Sequence, residues 1–130
     1  MINAVLDTNV LVSGLLTERG NSALIIDAFR DKQFNLFYNR EILDEYHDVL
    51  CGDKLGLPVC DVNELLEQIK NTGIPIIPVR SDILLTDEDD RVFYDTAKEA
   101  NAYLVTGNRK HYPKEQFIIL PADFATLLKI

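Results

Sequence analysis

The spacing of apolar and polar positions changes several times along the chain. Residues 2–6 (INAVL) form a nearly continuous apolar run, as expected of a strand covered on both faces. Residues 10–16 and 22–30 read as helices separated by Gly20 and Asn21, with Leu24/Ala28 and Ile25/Phe29 as i, i+4 apolar pairs. FNLFY (34–38) reads as a second strand, and Asn39 is a suitable cap for a helix over 40–50. Two glycines and a proline make 51–60 a loop, followed by a helix over 62–71. IPIIPV (74–79) reads as a strand whose prolines suit a sheet edge. A helix over 89–101 buries Phe93, Ala97 and Ala100; YLV (103–105) and FIIL (117–120) are strands, and 121–129 is a closing helix. Strands alternating with helices predict βαβ units in a single domain over 1–130. The fold class is α/β: three layers, α/β/α, around a mainly parallel sheet of about five strands.

Composition changes this picture little. The 130 residues, 47% hydrophobic and 26% charged, describe an ordinary globular chain large enough to bury a core. No apolar run has the length of a membrane span, and no basic residue precedes the first apolar segment, so a cytoplasmic protein is expected. Cys51 and Cys60 form no CxxC pair, and His47 and His111 lie far from zinc-ligand spacing, so two reduced thiols are expected rather than a zinc site. The net charge of −8 argues against non-specific nucleic-acid binding. Its distribution matters more. Arg109, Lys110, His111 and Lys114, with Tyr112 among them, form a local basic cluster. It reads equally well as a solvated loop or as a surface that holds phosphate and stacks a base.

The acids carry the candidate chemistry. In an open parallel sheet, ligands bind beyond the carboxyl ends of the strands. Asp7 ends the first strand and Thr106-Gly107-Asn108 ends the YLV strand, so a switch point between these two strands places Asp7 and Asn108 on one crevice. On the helix over 40–50, Glu45 borders the apolar face, Glu41 is its substitute, and Asp44 and Asp48 point to solvent. Two or three acids of DEDD (87–90) read as helix N-terminal caps. Asp90 lies about 70° from the Phe93/Ala97/Ala100 face and can turn towards the sheet edge. Asp95 points away from that face, towards the surface. Thr8 and Asn9 read mainly as a capping pair, with Asn9 also steadying the site. Three clustered carboxylates and an amide oxygen suit Mg²⁺ or Mn²⁺, because like charges packed together need a cation and hard oxygens select these ions. Such a site fits metal-dependent phosphodiester hydrolysis.

AVLDTNVLVSGLL (4–16) resembles the opening motif of PIN-domain nucleases. NREILDEYHDVL (39–50) is similar to the family's second motif, and DEDDRVFYDTAKEANAYLVTGNRKHYP (87–113) resembles its third and fourth motifs run together. The nearest subgroup is the VapC-like toxins of toxin–antitoxin pairs. The resemblance implies a Mg²⁺- or Mn²⁺-dependent endoribonuclease with Asp7, Glu45 and Asp90 as catalytic, metal-binding acids. It also implies that Thr106 orients an acid or water. The family's fourth acid falls at Asn108, which offers a carbonyl oxygen without charge, and Asp95 is the spare carboxylate nearby. Arg109, Lys110 and Lys114 are the substrate-binding candidates. The implied partners are an RNA substrate, a cognate antitoxin and a second copy of the chain, with no membrane; the alternative is a non-cutting module that binds RNA or an antitoxin. Two other acid-pocket folds fit less well. A receiver domain wants an acidic pair after strand one, and a haloacid-type phosphatase wants Asp-x-Asp-x-Thr, whereas LDTNV lacks the second Asp.

Overall fold

The computed structural model describes residues 1–130. In chain order its elements are β1 (Asn3–Leu6), α1 (Thr8–Leu16), α2 (Asn21–Arg30), β2 (Asn35–Tyr38), α3 (Arg40–Leu50) and α4 (Val59–Thr72). Then come β3 (Ile74–Pro75), α5 (Arg91–Ala100), β4 (Tyr103–Val105), β5 (Ile118–Ile119) and α6 (Pro121–Leu128). Short 3-10 turns cover Glu88–Asp90 and Arg109–His111. The five strands form one sheet in the order β3-β2-β1-β4-β5, and every pair is parallel. The three-layer α/β expectation holds, with a wholly parallel sheet. The chain steps from β1 outwards through β2 to β3, then returns to the other side of β1 for β4. The switch point therefore falls between β1 and β4, where Leu6 pairs with Val105.

The core explains why these short strands suffice. Ala4, Val5, Leu6, Leu36, Leu104 and Ile118 are all buried, so the sheet presents apolar side chains to both helix layers. α1 and α6 pack on α2, while α3 packs on α4 and α5. Phe34 and Phe124 meet edge to face at 5.1 Å, and Tyr46 lies 6.1 Å from Phe93. The Tyr46 hydroxyl donates to the Leu6 carbonyl, tying α3 to the end of β1. Gly14 lets α1 and α2 approach closely: a Cβ there would meet Ile26 Cδ1 at 2.4 Å and the Ser22 carbonyl oxygen at 2.9 Å.

Several boundaries differ from the sequence reading. α1 begins at Thr8, so Asp7 itself is the N-cap residue. α4 begins at Val59, inside the expected loop, because the Pro58 carbonyl accepts from the Asp61 and Val62 amides. β3 pairs only through Ile74 and Pro75 plus the Ile76 amide, since Pro75 and Pro78 have no N–H to continue the ladder. α5 ends one residue early, at Ala100, because Asn101 has a left-handed φ of 51°; the Ala102 amide closes back on Ala97 and turns the chain into β4. Asn39 caps α3 as expected, accepting from the Ile42 amide at 3.0 Å.

Between β3 and α5 the chain runs extended, without regular structure. Arg91, buried on α5, staples it. The guanidinium donates to the Ser81 carbonyl at 2.8 Å and the Ile83 carbonyl at 2.6 Å, and grips Glu88 at 2.9 and 2.6 Å. The Asp95 carboxylate accepts from the Ser81 amide at 3.0 Å. Asp95 is therefore buried, contrary to the surface position expected for it, because this non-local segment covers its flank.

Two outcomes follow from this packing. Gly14→Ala destabilises the fold by about 1–3 kcal/mol in urea melts through overpacking, the opposite sign to Gly→Ala in an open helix. Arg91→Ala lowers the melting temperature more than Arg80→Ala and opens the 76–87 segment to limited proteolysis, because Arg80 makes one exposed contact with Glu88.

Candidate active site

The switch point places two acids side by side. The Asp7 amide continues the β1–β4 ladder by donating to the Val105 carbonyl at 2.9 Å. This fixes Asp7 at the carboxyl edge of the sheet, next to Thr106. The Asp7 side chain caps no amide of α1. Its Oδ2 instead accepts from the Thr106 hydroxyl at 2.8 Å and the Tyr112 hydroxyl at 2.9 Å. Thr106 is fully buried and receives the Asn108 amide at 3.0 Å and the Asn9 side-chain amide at 3.3 Å. Asn9 also accepts from the Gly107 amide at 2.9 Å. Thr8 and Asn9 are thus not a capping pair. Both lie within α1, and Asn9 steadies the strand end.

Asp90 stands where the 3-10 turn passes into α5, as the N-cap residue of α5 but with no capping bond from its side chain. Its Oδ2 is buried without a hydrogen-bond partner, and the His111 Nδ1 is 3.7 Å away. Burial, then the charges of Asp7 and Asp87, push the Asp90 carboxyl from 3.8 up to about 6. Tyr112 feels the same field, its phenol raised by burial and by Asp7 and Asp90. Of the other acids in DEDD, Asp87 accepts from the Asp89 amide at 3.0 Å, and hydrogen bonds from Arg91 hold Glu88 below the usual carboxylate range.

Glu45 lies on the flank of this pair rather than within it. Its carboxyl is raised by partial burial and then by Asp89, Asp48 and Asp7, in that order. It lines a cavity of about 430 Å³ between α3 and α5, together with Glu41, Asp89, Asp95 and the two arginines, Arg80 and Arg91. No three His, Cys, Asp or Glu side chains converge on one ion-sized point. The charge of Asp7 acts on both other acids, ranking ahead of the other charges at Asp90 and behind Asp89 and Asp48 at Glu45.

Asn108 is exposed and tied to the site through its backbone amide. Arg109, Lys110 and Lys114 are exposed and line a second cavity of about 790 Å³ that also includes Tyr112. The stacking role open to Tyr112 in the sequence is closed by the structure: the residue is buried with its hydroxyl on Asp7. No sequence spacing signals that contact, which joins positions 105 residues apart.

The residues fit a hard divalent cation. Asp90 offers a buried oxygen without a partner, and the two Asp7 donors both fall on Oδ2, which leaves Oδ1. Two carboxylates suit Mg²⁺, which keeps several waters and needs no full protein cage.

A parallel α/β sheet with paired acids at its switch point defines a class of fold suited to binding a cation or phosphate at that edge. The sequence matches the PIN domain over residues 3–110. The chain belongs to the PIN-domain family, which is built on a nuclease fold and typically binds divalent metals. A protein of Methanocaldococcus jannaschii, the uncharacterized protein MJ1680, is 27% identical over 111 residues, covering 83% of this chain and 72% of its own length. No solved structure matches. No helix is long and apolar enough to cross a membrane.

The Asp90 carboxyl makes stability depend on pH with a definite sign. Its folded value of about 6 lies above its ordinary 3.8, so the folded chain holds this proton more tightly than the unfolded chain. The opposing contribution is absent below the ordinary value, grows as pH rises between the two values, and is full above about 6. After allowance for solvent screening it is on the order of 1 kcal/mol. Asp90→Asn therefore stabilises the metal-free protein at neutral pH and flattens this part of the urea-melt pH profile.

Proposed function

We propose that the protein is a divalent-metal-dependent endoribonuclease that hydrolyses RNA phosphodiester bonds. The observation that carries this reading is the Asp7–Asp90 pair at the β1–β4 switch point, with an oxygen of Asp90 buried and unpartnered. Asp7 and Asp90 would hold Mg²⁺ or Mn²⁺, and Glu45 would reach the ion through water. A bound ion supplies a water of lowered pKa and charge for the phosphate oxygens. Thr106 orients Asp7, with Asn9 and the Asn108 amide fixing Thr106 in turn. The Asn108 side chain adds a neutral carbonyl oxygen where an acid would add charge. Arg109, Lys110 and Lys114, grouped along their own cavity, hold the flanking phosphates. Asp95 supports the 76–87 segment by accepting from the Ser81 amide through Oδ2, while its Oδ1 is buried without a partner on the flank it shares with Glu45. The preference for RNA rests on the family resemblance, since no group at the site is committed to a 2′-hydroxyl.

The motifs that resemble VapC-like proteins support a role as the toxin of a toxin–antitoxin pair, forming a homodimer and restrained by a cognate antitoxin. A second reading is favoured by Asn108: a PIN-fold module that binds RNA or an antitoxin without cutting.

One assay separates the two. Single-stranded RNA is incubated with the protein and Mg²⁺, Mn²⁺ or chelator, with Asp7→Asn as the control. The nuclease reading expects metal-dependent cleavage reduced by at least 10²-fold in Asp7→Asn. Equal cleavage by both proteins overturns the mechanism. Absence of cleavage, together with no Mn²⁺ binding near millimolar metal in calorimetry, establishes the non-cutting module.

A further inference from the structure

Both hydroxyls that hold Asp7 act on the same oxygen. Thr106 donates to Oδ2 at 2.8 Å and Tyr112 donates to it at 2.9 Å. The Thr106 oxygen already accepts from the Asn108 amide and the Asn9 side chain, so its single proton goes to Asp7. Tyr112 is buried, and its hydroxyl donates to Asp7 Oδ2 while its phenol also feels Asp90. The donors come from separate elements, the end of β4 and the loop beyond the Arg109–His111 turn, so the carboxylate is held from two directions. Two donors fill the lone pairs of Oδ2, and Asp7 can ligate a cation through Oδ1 alone.

One ligating oxygen discriminates between ions. Ca²⁺ takes six to eight oxygens and readily uses carboxylates through both atoms, whereas Mg²⁺ and Mn²⁺ suit octahedral sites with single-oxygen carboxylates and water. We propose that Tyr112, together with Thr106, is a positioning residue that selects small octahedral divalent ions over Ca²⁺ by denying Asp7 a second ligating oxygen. This rests on the Asp7–Asp90 metal site proposed above. It adds Tyr112 to that site and gives the buried phenol a role distinct from phosphate binding or base stacking.

The test is calorimetric titration of the full chain with MnCl₂, MgCl₂ and CaCl₂, for the parent and Tyr112→Phe, with thermal melts to confirm folding. The parent is expected to bind Mn²⁺ and Mg²⁺ in preference to Ca²⁺. Tyr112→Phe removes only the hydroxyl and is expected to narrow the Mn²⁺-to-Ca²⁺ affinity ratio by about tenfold, the scale of an outer-shell ligand contact. Thr106→Val removes the other donor and is expected to narrow it in the same sense, which keeps the test available if one variant fails to fold. Equal loss of affinity for all three ions, or an unchanged ratio, shows a merely structural phenol and overturns the proposal. If the parent binds no divalent ion near millimolar concentration, the metal-site reading itself falls, and the selection mechanism with it.

Discussion

The parallel pairing of β1 with β4 is the constraint on which the rest of the structure depends. It joins residues about a hundred positions apart and places the last apolar residue of each strand at the same level, Leu6 beside Val105. The next residue of each chain, Asp7 or Thr106, is then forced past the sheet edge at the point where the connections diverge. Neither residue has freedom to move away. The Asp7 amide is bound to Val105, and the Thr106 amide is bound to Ile119. A carboxylate and a hydroxyl are thereby held in contact by backbone geometry before any side-chain preference acts.

Like-charge repulsion shapes what surrounds that point. A chain with net charge −8 brings acids from three elements to one edge, and the structure treats the outer and inner members differently. Glu88 is matched by Arg91 and Arg80, and Asp95 is matched at Oδ2 alone by the Ser81 amide, with Arg91 nearby. These compensated acids hold the extended segment between β3 and α5 in place. Asp7 and Asp90 have no arginine in contact, and Asp90 has only the His111 imidazole 3.7 Å away. Asp7 is held by neutral hydroxyls, and Asp90 keeps a buried oxygen without any donor. Arginine therefore compensates Glu88 directly, whereas Asp90 and Asp95 each keep one buried oxygen without a donor.

The basic loop and the acidic pair meet at Tyr112. Arg109, Lys110 and Lys114 surround a cavity whose wall includes this ring, while its hydroxyl reaches the Asp7 carboxylate. Glu115 anchors the same loop to α5 by accepting from Tyr94 and pairing with Lys98 at 3.4 Å. Cationic side chains and a carboxylate centre of opposite sign are therefore kept adjacent but separated by one buried aromatic ring.

The order and type of the main elements were legible in the sequence because they follow from local periodicity. Continuous apolar runs make buried strands, i, i+4 apolar pairs make helices, and Asn39 caps α3 through contacts within four residues. The resemblance to the family's motifs likewise points to Asp7, Glu45 and Asp90 as a set. Only the tertiary structure decided how that set is arranged. After burial, Asp7 is the leading charge acting on Asp90, whereas at Glu45 the leading charge is Asp89, which lines the same cavity. Asp95 looked solvated by helical geometry and is buried, because a non-helical segment arriving from β3 covers it. Tyr112 read as part of a basic surface, and its hydroxyl lies on Asp7. The physical reason is common to all three. Helix and strand periods fix the direction of a side chain relative to its own element, but burial, hydrogen bonding and pKa depend on distant chain that pairing at the β1–β4 switch point brings alongside.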